Sequence, residues 1–443
     1  MSTLLIQHAD LFTLDAHNAI LKNSSLAIQD KYIVAIGEIP PDFRADEIID
    51  GTNHVALPGF FNAHTHAAMT LLRGSAEDLP LDRWFNEGIW RTESALCEED
   101  VYWGTALAAC EMIRSGTVAF SDHYFYMHNV ARVVQEAGMK AMLAWCVFGS
   151  NFAPEMGPTT LELTEEFVAE FQNSAGGRIQ TVLGPHSPYI SAERALRDAA
   201  NVARKLGVGC HIHVSESPEQ VANSYKQHGK SPVAYLNALG IFDQPSIAAH
   251  AIYIDDADIE ILRAKNVTVA ACPKTHLKLA MKTTRIMALL NAGVNVALGT
   301  DGAASNNDLD MLQVTRLAAL LQKHETGDAT VLPSMQALKL ATQHGARAMG
   351  FANSGVIQVG AAADLILVNM DKPHLTPRHD LAANVVHSAQ GSDVNYVIVD
   401  GQVLLRKGEL TTLDEEKIMR EAETRGLRMV QSNLAQTQRY QSY

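Results

Sequence analysis

The sequence predicts an α/β protein, a (β/α)8 TIM barrel carrying a small β-sandwich-like domain built from both chain ends. Three observations carry that expectation. Between residues 55 and 300, eight apolar runs ending in polar residues alternate with helix-like stretches, the pattern of βα units and a parallel sheet. Short alternating runs of strand character stand near both ends of the chain. The length, 443 residues, suits a barrel of about 250 residues with a smaller domain beside it. The expected division gives residues 55–357 to the barrel. Residues 1–54 and 358–443 then form the small domain, with a C-terminal helix.

Taken in order, residues 3–14 and 25–36 read as short strands, the second a hairpin turning at Asp30-Lys31. The barrel strands fall at 55–63, 117–122, 140–148, 179–185, 209–214, 246–250, 267–272 and 294–300. Gly116, Gly138, Gly207 and Gly293 follow periodic segments, where a residue lacking Cβ can take the left-handed cap that ends a helix. Helices at 310–322 and 334–349 follow the last barrel strand and close the barrel. Strands return at 364–369 and 394–405, and a helix at 414–433 completes the pattern.

A hydrophobic fraction of 47% and a charged fraction of 19% describe a soluble globular protein with a large core. The formal charge of −14 argues against a nucleic-acid partner, because phosphate binding wants a positive surface. No apolar run is long enough to span a membrane, and Met1 to Asp10 lacks a basic region followed by an apolar core. Cys97, Cys110, Cys146, Cys210 and Cys272 are scattered without C-x-x-C spacing, so a cytoplasmic setting is expected.

The chemistry concentrates at strand ends. In Pro58-Gly59-Phe60-Phe61-Asn62-Ala63-His64-Thr65-His66, an extended chain points two side chains spaced by one residue the same way, so both imidazoles can face one centre. Alone this pair is a weak signal in a chain with 18 histidines. The remaining barrel strand ends strengthen it: Gly184-Pro185-His186, His211-Ile212-His213-Val214-Ser215-Glu216, His250, and Gly299-Thr300-Asp301. Each has a plainer explanation. His250 could be a hydrogen-bonded core histidine, His186 a loop cap, Asp301 a turn residue before Gly302, and Glu216 the acidic first turn of a helix starting near Pro218. Together at the same ends of one barrel, they favour a site.

Three imidazoles and a carboxylate, His64, His66, His213 and Asp301, suit zinc or another borderline divalent ion. Strand parity leaves His211 and His213 equivalent as the third imidazole, since both point the same way. Coordination lowers the pKa of water from 15.7 to roughly 7, Asp301 can accept the proton released, and His250 can hydrogen-bond the resulting hydroxide. Glu216, one turn after His213, can protonate a substrate ring nitrogen and then the leaving group.

These residues resemble the amidohydrolase superfamily, and within it the 5′-methylthioadenosine/S-adenosylhomocysteine deaminases. The likeness runs through nearly the whole chain. Besides the stretches quoted, it is carried by Leu71-Leu72-Arg73-Gly74, Asp78-Leu79-Pro80-Leu81 with Trp84 and Glu93, Gly184 to Tyr189, and Gly299 to Asn306. The resemblance implies one divalent metal ion, best matched by Zn2+, on His64, His66, His213 and Asp301, which settles the third imidazole. It implies proton transfer by Glu216 and His250, with Asp301 beside them as the third catalytic group. It also implies substrate contacts from Glu93 to ribose hydroxyls, from His186 on the purine or ribose side, from Glu216 to the ring, and from Trp84 lining the pocket. His186 stands where two-metal relatives carry a bridging lysine. Two stretches depart from the group, both on the substrate side. Cys272-Pro273-Lys274-Thr275-His276-Leu277-Lys278 lacks the usual Ser-Asn pair, and His123 in Ser121-Asp122-His123-Tyr124 replaces a usual methionine.

The expected reaction is hydrolytic deamination of an adenosine-type nucleoside, with hydroxide adding to C6 and ammonia leaving. The partner is a small-molecule substrate, with no nucleic acid and no membrane, and a homo-oligomer is expected. A deaminase or chlorohydrolase of another aminated heterocycle, of triazine, guanine, pterin or pyrimidine type, would use the same centre. A non-catalytic barrel scaffold fits less well, because every ligand position is filled. The sequence lacks the paired H-x-E and P-C-x-x-C motifs of cytidine-type deaminases, H-E-x-x-H, and the P-loop pattern.

Overall fold

The computed structural model describes residues 2–148 and 161–431. The N-terminal segment supplies β1 (Thr3–Phe12), β2 (Ile20–Gln29), β3 (Tyr32–Ile36), β4 (Glu47–Asp50) and β5 (His54–Pro58). The expected hairpin is present: Gln29 pairs with Tyr32 across Asp30-Lys31, and Asp30 takes the left-handed φ of 52° that so tight a turn requires. The single strand expected at 55–63 is two strands. Pro58 ends β5 and Gly59 crosses Val118 so closely that a Cβ there would lie 2.2 Å from a valine methyl. Only glycine permits that crossing.

Beyond the break run β6 (Phe60–Thr65), β7 (Thr117–Tyr124), β8 (Lys140–Val147) and β9 (Ile179–Pro185), all parallel and adjacent in that order. A second parallel sheet contains β10 (His211–Val214), β11 (Ile247–His250), β12 (Thr268–Ala271) and β13 (Val296–Leu298). With the exception of Gln180 these strands are buried throughout, as parallel strands covered by crossover helices must be. The two sheets meet along both edges. On one side the Leu183 N–H donates to Gly209 O (3.0 Å) and the His213 N–H to His186 O (3.0 Å). On the other the Asp301 N–H donates to His64 O (2.9 Å), while the Asn62 amide gives a hydrogen bond to Thr300 Oγ1 (2.7 Å) and accepts one from the Thr300 N–H (2.9 Å).

The helices stop and start where local chemistry dictates. Met127–Ala137 and Glu193–Leu206 end on the left-handed Gly138 and Gly207. Pro218–His228 begins with a capping box, Ser217 accepting from the Gln220 N–H and the Gln220 side chain reaching back. The helix expected at 310–322 runs Met311–Thr326, capped by the Asp310 carboxylate. The one expected at 334–349 is two helices, Ser334–Ala341 and Gln343–Ala348, broken at Thr342 (φ −123°, ψ −89°), whose hydroxyl bonds back to Leu338 O.

The C-terminal segment adds β14 (Leu365–Asn369), β15 (Val394–Val399), β16 (Gln402–Arg406) and β17 (Glu409–Leu410). The strand expected at 394–405 is the β15–β16 hairpin, turned by Asp400 and Gly401, both left-handed. All four join the N-terminal strands in one nine-stranded sheet ordered β17-β16-β15-β14-β5-β1-β2-β3, with β4 paired to β1. Leu4, Ile6, Ile28, Leu365 and Ile398 share one apolar cluster, so both chain ends bury the same core. Edge strand β3 also meets the segment that leads into β14, the Ile33 N–H donating to Ala361 O (3.0 Å). Helix Glu415–Gln431 packs on Glu98–Arg114 through Arg425 and Arg428 on Asp100; residues 432–433 of the expected helix lie outside the described residues. Among the described residues no helix is long and apolar enough to cross a membrane.

Candidate metal centre and its cavity

His64 and His66 stand at the end of β6, His213 on β10, and Asp301 three residues past β13. The fold brings all four together. Asp301 Oδ1 lies 3.4 Å from His64 Nε2 and 3.3 Å from His66 Nε2, and His213 Nε2 lies 3.3 Å from His66 Nε2. Each imidazole is turned by what its other nitrogen touches. His66 Nδ1 meets the His123 carbonyl at 2.7 Å, His213 Nδ1 meets the His186 carbonyl at 2.9 Å, and His64 Nδ1 meets His211 Nε2 at 2.8 Å. A ring that donates Nδ1–H to a carbonyl presents a bare Nε2, the state a metal ligand needs.

That donor set passes a direct test of fit. His64 Nε2 is fully buried, makes no hydrogen bond and lies 3.4 Å from Asp301 Oδ1, so an imidazole lone pair and a carboxylate face one another, an arrangement that a cation between them would satisfy. Electrostatics agree. Burial opposes a charge on His66, yet the hydrogen bond and charge of Asp301 outweigh it and lift the imidazole to about 9. Asp301 is held well below the usual carboxylate range despite its burial, by the same two histidines. A carboxylate that draws a proton so strongly into this spot would draw a divalent cation there instead.

Backbone strain gathers here. Ser215, His250 and Asp301 all have left-handed φ, of 54°, 70° and 63°. Such conformations cost of order 1–3 kcal/mol each and persist where the surroundings fix them, commonly at functional sites. Ser305 Oγ donates to Asp301 Oδ2 (2.9 Å), and Thr284 Oγ1 donates to His250 O (2.6 Å).

A cleft open to solvent is lined by three of the four donors, His66, His213 and Asp301, with His64 behind them, 3.4 Å from Asp301. Glu216 and His250 line it, with His250 Nε2 3.9 Å from Glu216 Oε2. Glu216 precedes the N-cap Ser217, so it lies outside the helix and turns into the cleft instead of serving the first turn. Burial, and then the charge of Asp301, push its carboxyl up to about 8, with His66 pulling the other way. Trp84, Glu93 and His186 line the same cleft. Trp84 sits in a π-helical turn, Trp84–Ile89, of the kind found at functional sites. Glu93 accepts a hydrogen bond from the Tyr124 hydroxyl, and His186 stacks between Phe148 (4.9 Å) and His213 (4.7 Å).

Four further residues shape this constellation: the sequence offers His211 as an alternative third imidazole, His123 and His276 as departures from the resemblance and Asn62 within the first motif, but it does not show the contacts they make. His211, two residues before His213, backs His64 and is itself met by Ser121 Oγ at 3.1 Å. His123 lines the cleft and is anchored by Nε2 to Gly184 O (3.0 Å). His276 meets His250, and Asn62 ties β6 to Thr300. A polar residue amid an apolar strand is the signal that marks Asn62; His276 carries none beyond its departure from the resemblance.

This arrangement, a convergent His/His/His/Asp set at the ends of parallel strands, defines a class of metal-dependent hydrolytic enzymes. The chain belongs to the amidohydrolase family, which it matches over residues 55–404. It is 45% identical over 433 residues to a 5-methylthioadenosine/S-adenosylhomocysteine deaminase of Pelotomaculum thermopropionicum, covering 97% of this chain and 99% of that one. A zinc-bound adenosine deaminase of Xanthomonas campestris superposes with a TM-score of 0.91 at 33% identity, covering 97% and 98%. A zinc-complexed atrazine chlorohydrolase of Arthrobacter aurescens shares the fold, with a TM-score of 0.87 at 22% identity over 96% and 100%. Family and neighbours imply a TIM barrel for the eight parallel strands.

Proposed function

We propose that this chain is a hydrolytic deaminase of adenosine-type nucleosides, 5′-methylthioadenosine and S-adenosylhomocysteine foremost. The observation that carries the reading is the meeting of two functions in one cleft. His66, His213 and Asp301 line it with His64 set against Asp301 behind them, and Glu216, His250, Glu93 and Trp84 line the same cleft. Near-full-length similarity to a deaminase of that name supports the substrate.

In this reading His64, His66, His213 and Asp301 hold one divalent ion, zinc by the chemistry of its donors. That ion supplies Lewis acidity, lowering the pKa of water from 15.7 to roughly 7. Asp301 takes a proton from the attacking water, and His250 orients that water by a hydrogen bond. Glu216 keeps its proton near neutrality and gives it to ring N1 as C6 is attacked; the proton taken by Asp301 passes to the amino group, ammonia leaves, and the adduct's hydroxyl proton restores Glu216. Glu93 receives the ribose hydroxyls, His186 the purine or ribose side, and Trp84 covers the ring. The eight parallel strands β6 to β13 close as a (β/α)8 barrel that starts at Phe60, five residues later than the expected boundary, because β5 (His54–Pro58) pairs with β1 and β14. The chain ends, with β5, form the small sandwich-like domain, supported by the nine-stranded sheet to which both ends contribute. The five free cysteines support a reducing, cytoplasmic setting.

The test is incubation of zinc-loaded protein with each nucleoside, following ammonia release and the fall in adenine absorbance. Stoichiometric conversion to the inosine-type product is expected. Ammonia from guanine or an aminated triazine, with none from any adenosine analogue, would overturn the substrate.

A further inference from the structure

We propose that His276 is a positioning residue that fixes His250 in the tautomer carrying hydrogen on Nε2, so that His250 meets the reacting water as a donor. The role of that water rests on the function proposed above; the tautomer does not.

His250 Nδ1 and His276 Nε2 are 3.2 Å apart, and both rings are buried. One of these two nitrogens must carry the shared hydrogen. Burial of both rings, and the packing of His250 among the His64 and His213 imidazoles, favour neutral rings. The other nitrogen of His276, Nδ1, is buried with no hydrogen-bond partner. That orphan decides between the two arrangements.

If His250 donated from Nδ1, His276 would have to accept on Nε2 and carry its own hydrogen on Nδ1. A buried N–H would then point at nothing. An unpaired buried donor is penalised in full, and native structures almost never keep one. In the opposite arrangement His276 donates from Nε2–H, and its Nδ1 keeps only a lone pair, the cheaper group to leave unpaired. His250 Nδ1 then accepts, and its hydrogen must lie on Nε2. That nitrogen lies 3.9 Å from Glu216 Oε2, and His250 has a ring nitrogen within 4.8 Å of ring nitrogens of His64 and His213.

Neither ring can readily swing out of this relation. The left-handed His250 backbone is pinned through its carbonyl by Thr284, and His276 rides on the helix Pro273–Lys278. An asparagine at 276 could also donate from its amide, whereas an aspartate could only accept.

The experiment is 15N NMR of zinc-loaded, histidine-labelled protein, with His250 assigned by the signals lost in His250→Gln. We expect Nε2 protonated and Nδ1 bare in the wild type and in His276→Asn, and the reverse in His276→Asp. In parallel, His276→Asp and His276→Leu should lose about 10- to 100-fold in kcat with KM little changed, and His276→Asn should recover most of the loss. Hydrogen on Nδ1 in the wild type, or an unchanged tautomer in His276→Asp, overturns the proposal. The spectrum needs no substrate, so failure to deaminate would count against the reaction and leave the tautomer result standing.

Discussion

A carboxylic acid enclosed by apolar walls holds its proton to higher pH, and Glu93 is such a group. Burial lifts it to about 7, although the Tyr124 hydroxyl and the charge of His66 pull the other way. Tyr124 occupies Oε1, leaving Oε2 free to accept from a ligand. The acceptor strength of that oxygen is full above pH 7 and fades below it. KM for the nucleoside should therefore rise by up to about tenfold per pH unit on the acid side, and Glu93→Gln should flatten that rise. A KM independent of pH in the wild type would remove Glu93 from substrate binding. Glu216→Gln should keep full metal content, since the donors lie elsewhere, and lose about 10²- to 10⁴-fold in kcat. Near wild-type turnover would refute its role. The ligand histidines were legible in the sequence because β-strand alternation places them two apart and at strand ends. The duties of His211 and His276 were not, because their partners His64 and His250 lie 147 and 26 residues away, and only the fold sets their angles.

Single elements were misread where two of them share one composition. Val55-Ala56-Leu57 and Phe60-Phe61 are equally apolar, so nothing local says that β5 belongs to the end sheet and β6 to the parallel one. The β15–β16 hairpin and the break at Thr342 were hidden in the same way. Lys140, the first residue of β8, shows what such a reading leaves out. Its ammonium is buried between Asp364, which it bonds, and Asp400 at 2.7 Å, with Ser354 Oγ on Asp364 at 2.6 Å. The cluster joins a parallel strand to the sheet made by the chain ends. Burial works against the ammonium, but the two carboxylates raise its pKa above the ordinary lysine value. Its contribution is therefore fully present below pH 10.5 and is lost only as pH climbs through the raised value. Lys140→Met leaves two carboxylates facing each other with little water, and should cost about 3–5 kcal/mol in a denaturant titration. Asp364→Asn in the same background should recover part of it. A loss below about 1 kcal/mol would mean that water enters the cluster and screens it.

Across the whole molecule the four donors span residues 64 to 301 and both four-stranded parallel sheets, so a cation held by them is also a cross-link between the sheets. An ion that binds only the folded chain stabilises it by RT ln(1 + [L]/Kd), about 4 kcal/mol at a thousandfold excess over Kd. The fold does not depend on that contribution in the way a zinc finger does. Phe60, Phe61, Phe120 and Phe242 lie in a continuous apolar core that closes without it. Chelated protein should therefore remain folded by circular dichroism and melt several degrees lower. Added zinc should restore the melting temperature, while in His64→Ala the same addition should shift it far less. A melting temperature indifferent to zinc in the wild type would show that the imidazoles and Asp301, close as they lie, do not close on a cation. A protein that unfolded on chelation would show instead that the two sheets cannot hold their edges without one, and that the Asn62–Thr300 and Asp301–His64 hydrogen bonds are too weak to join them.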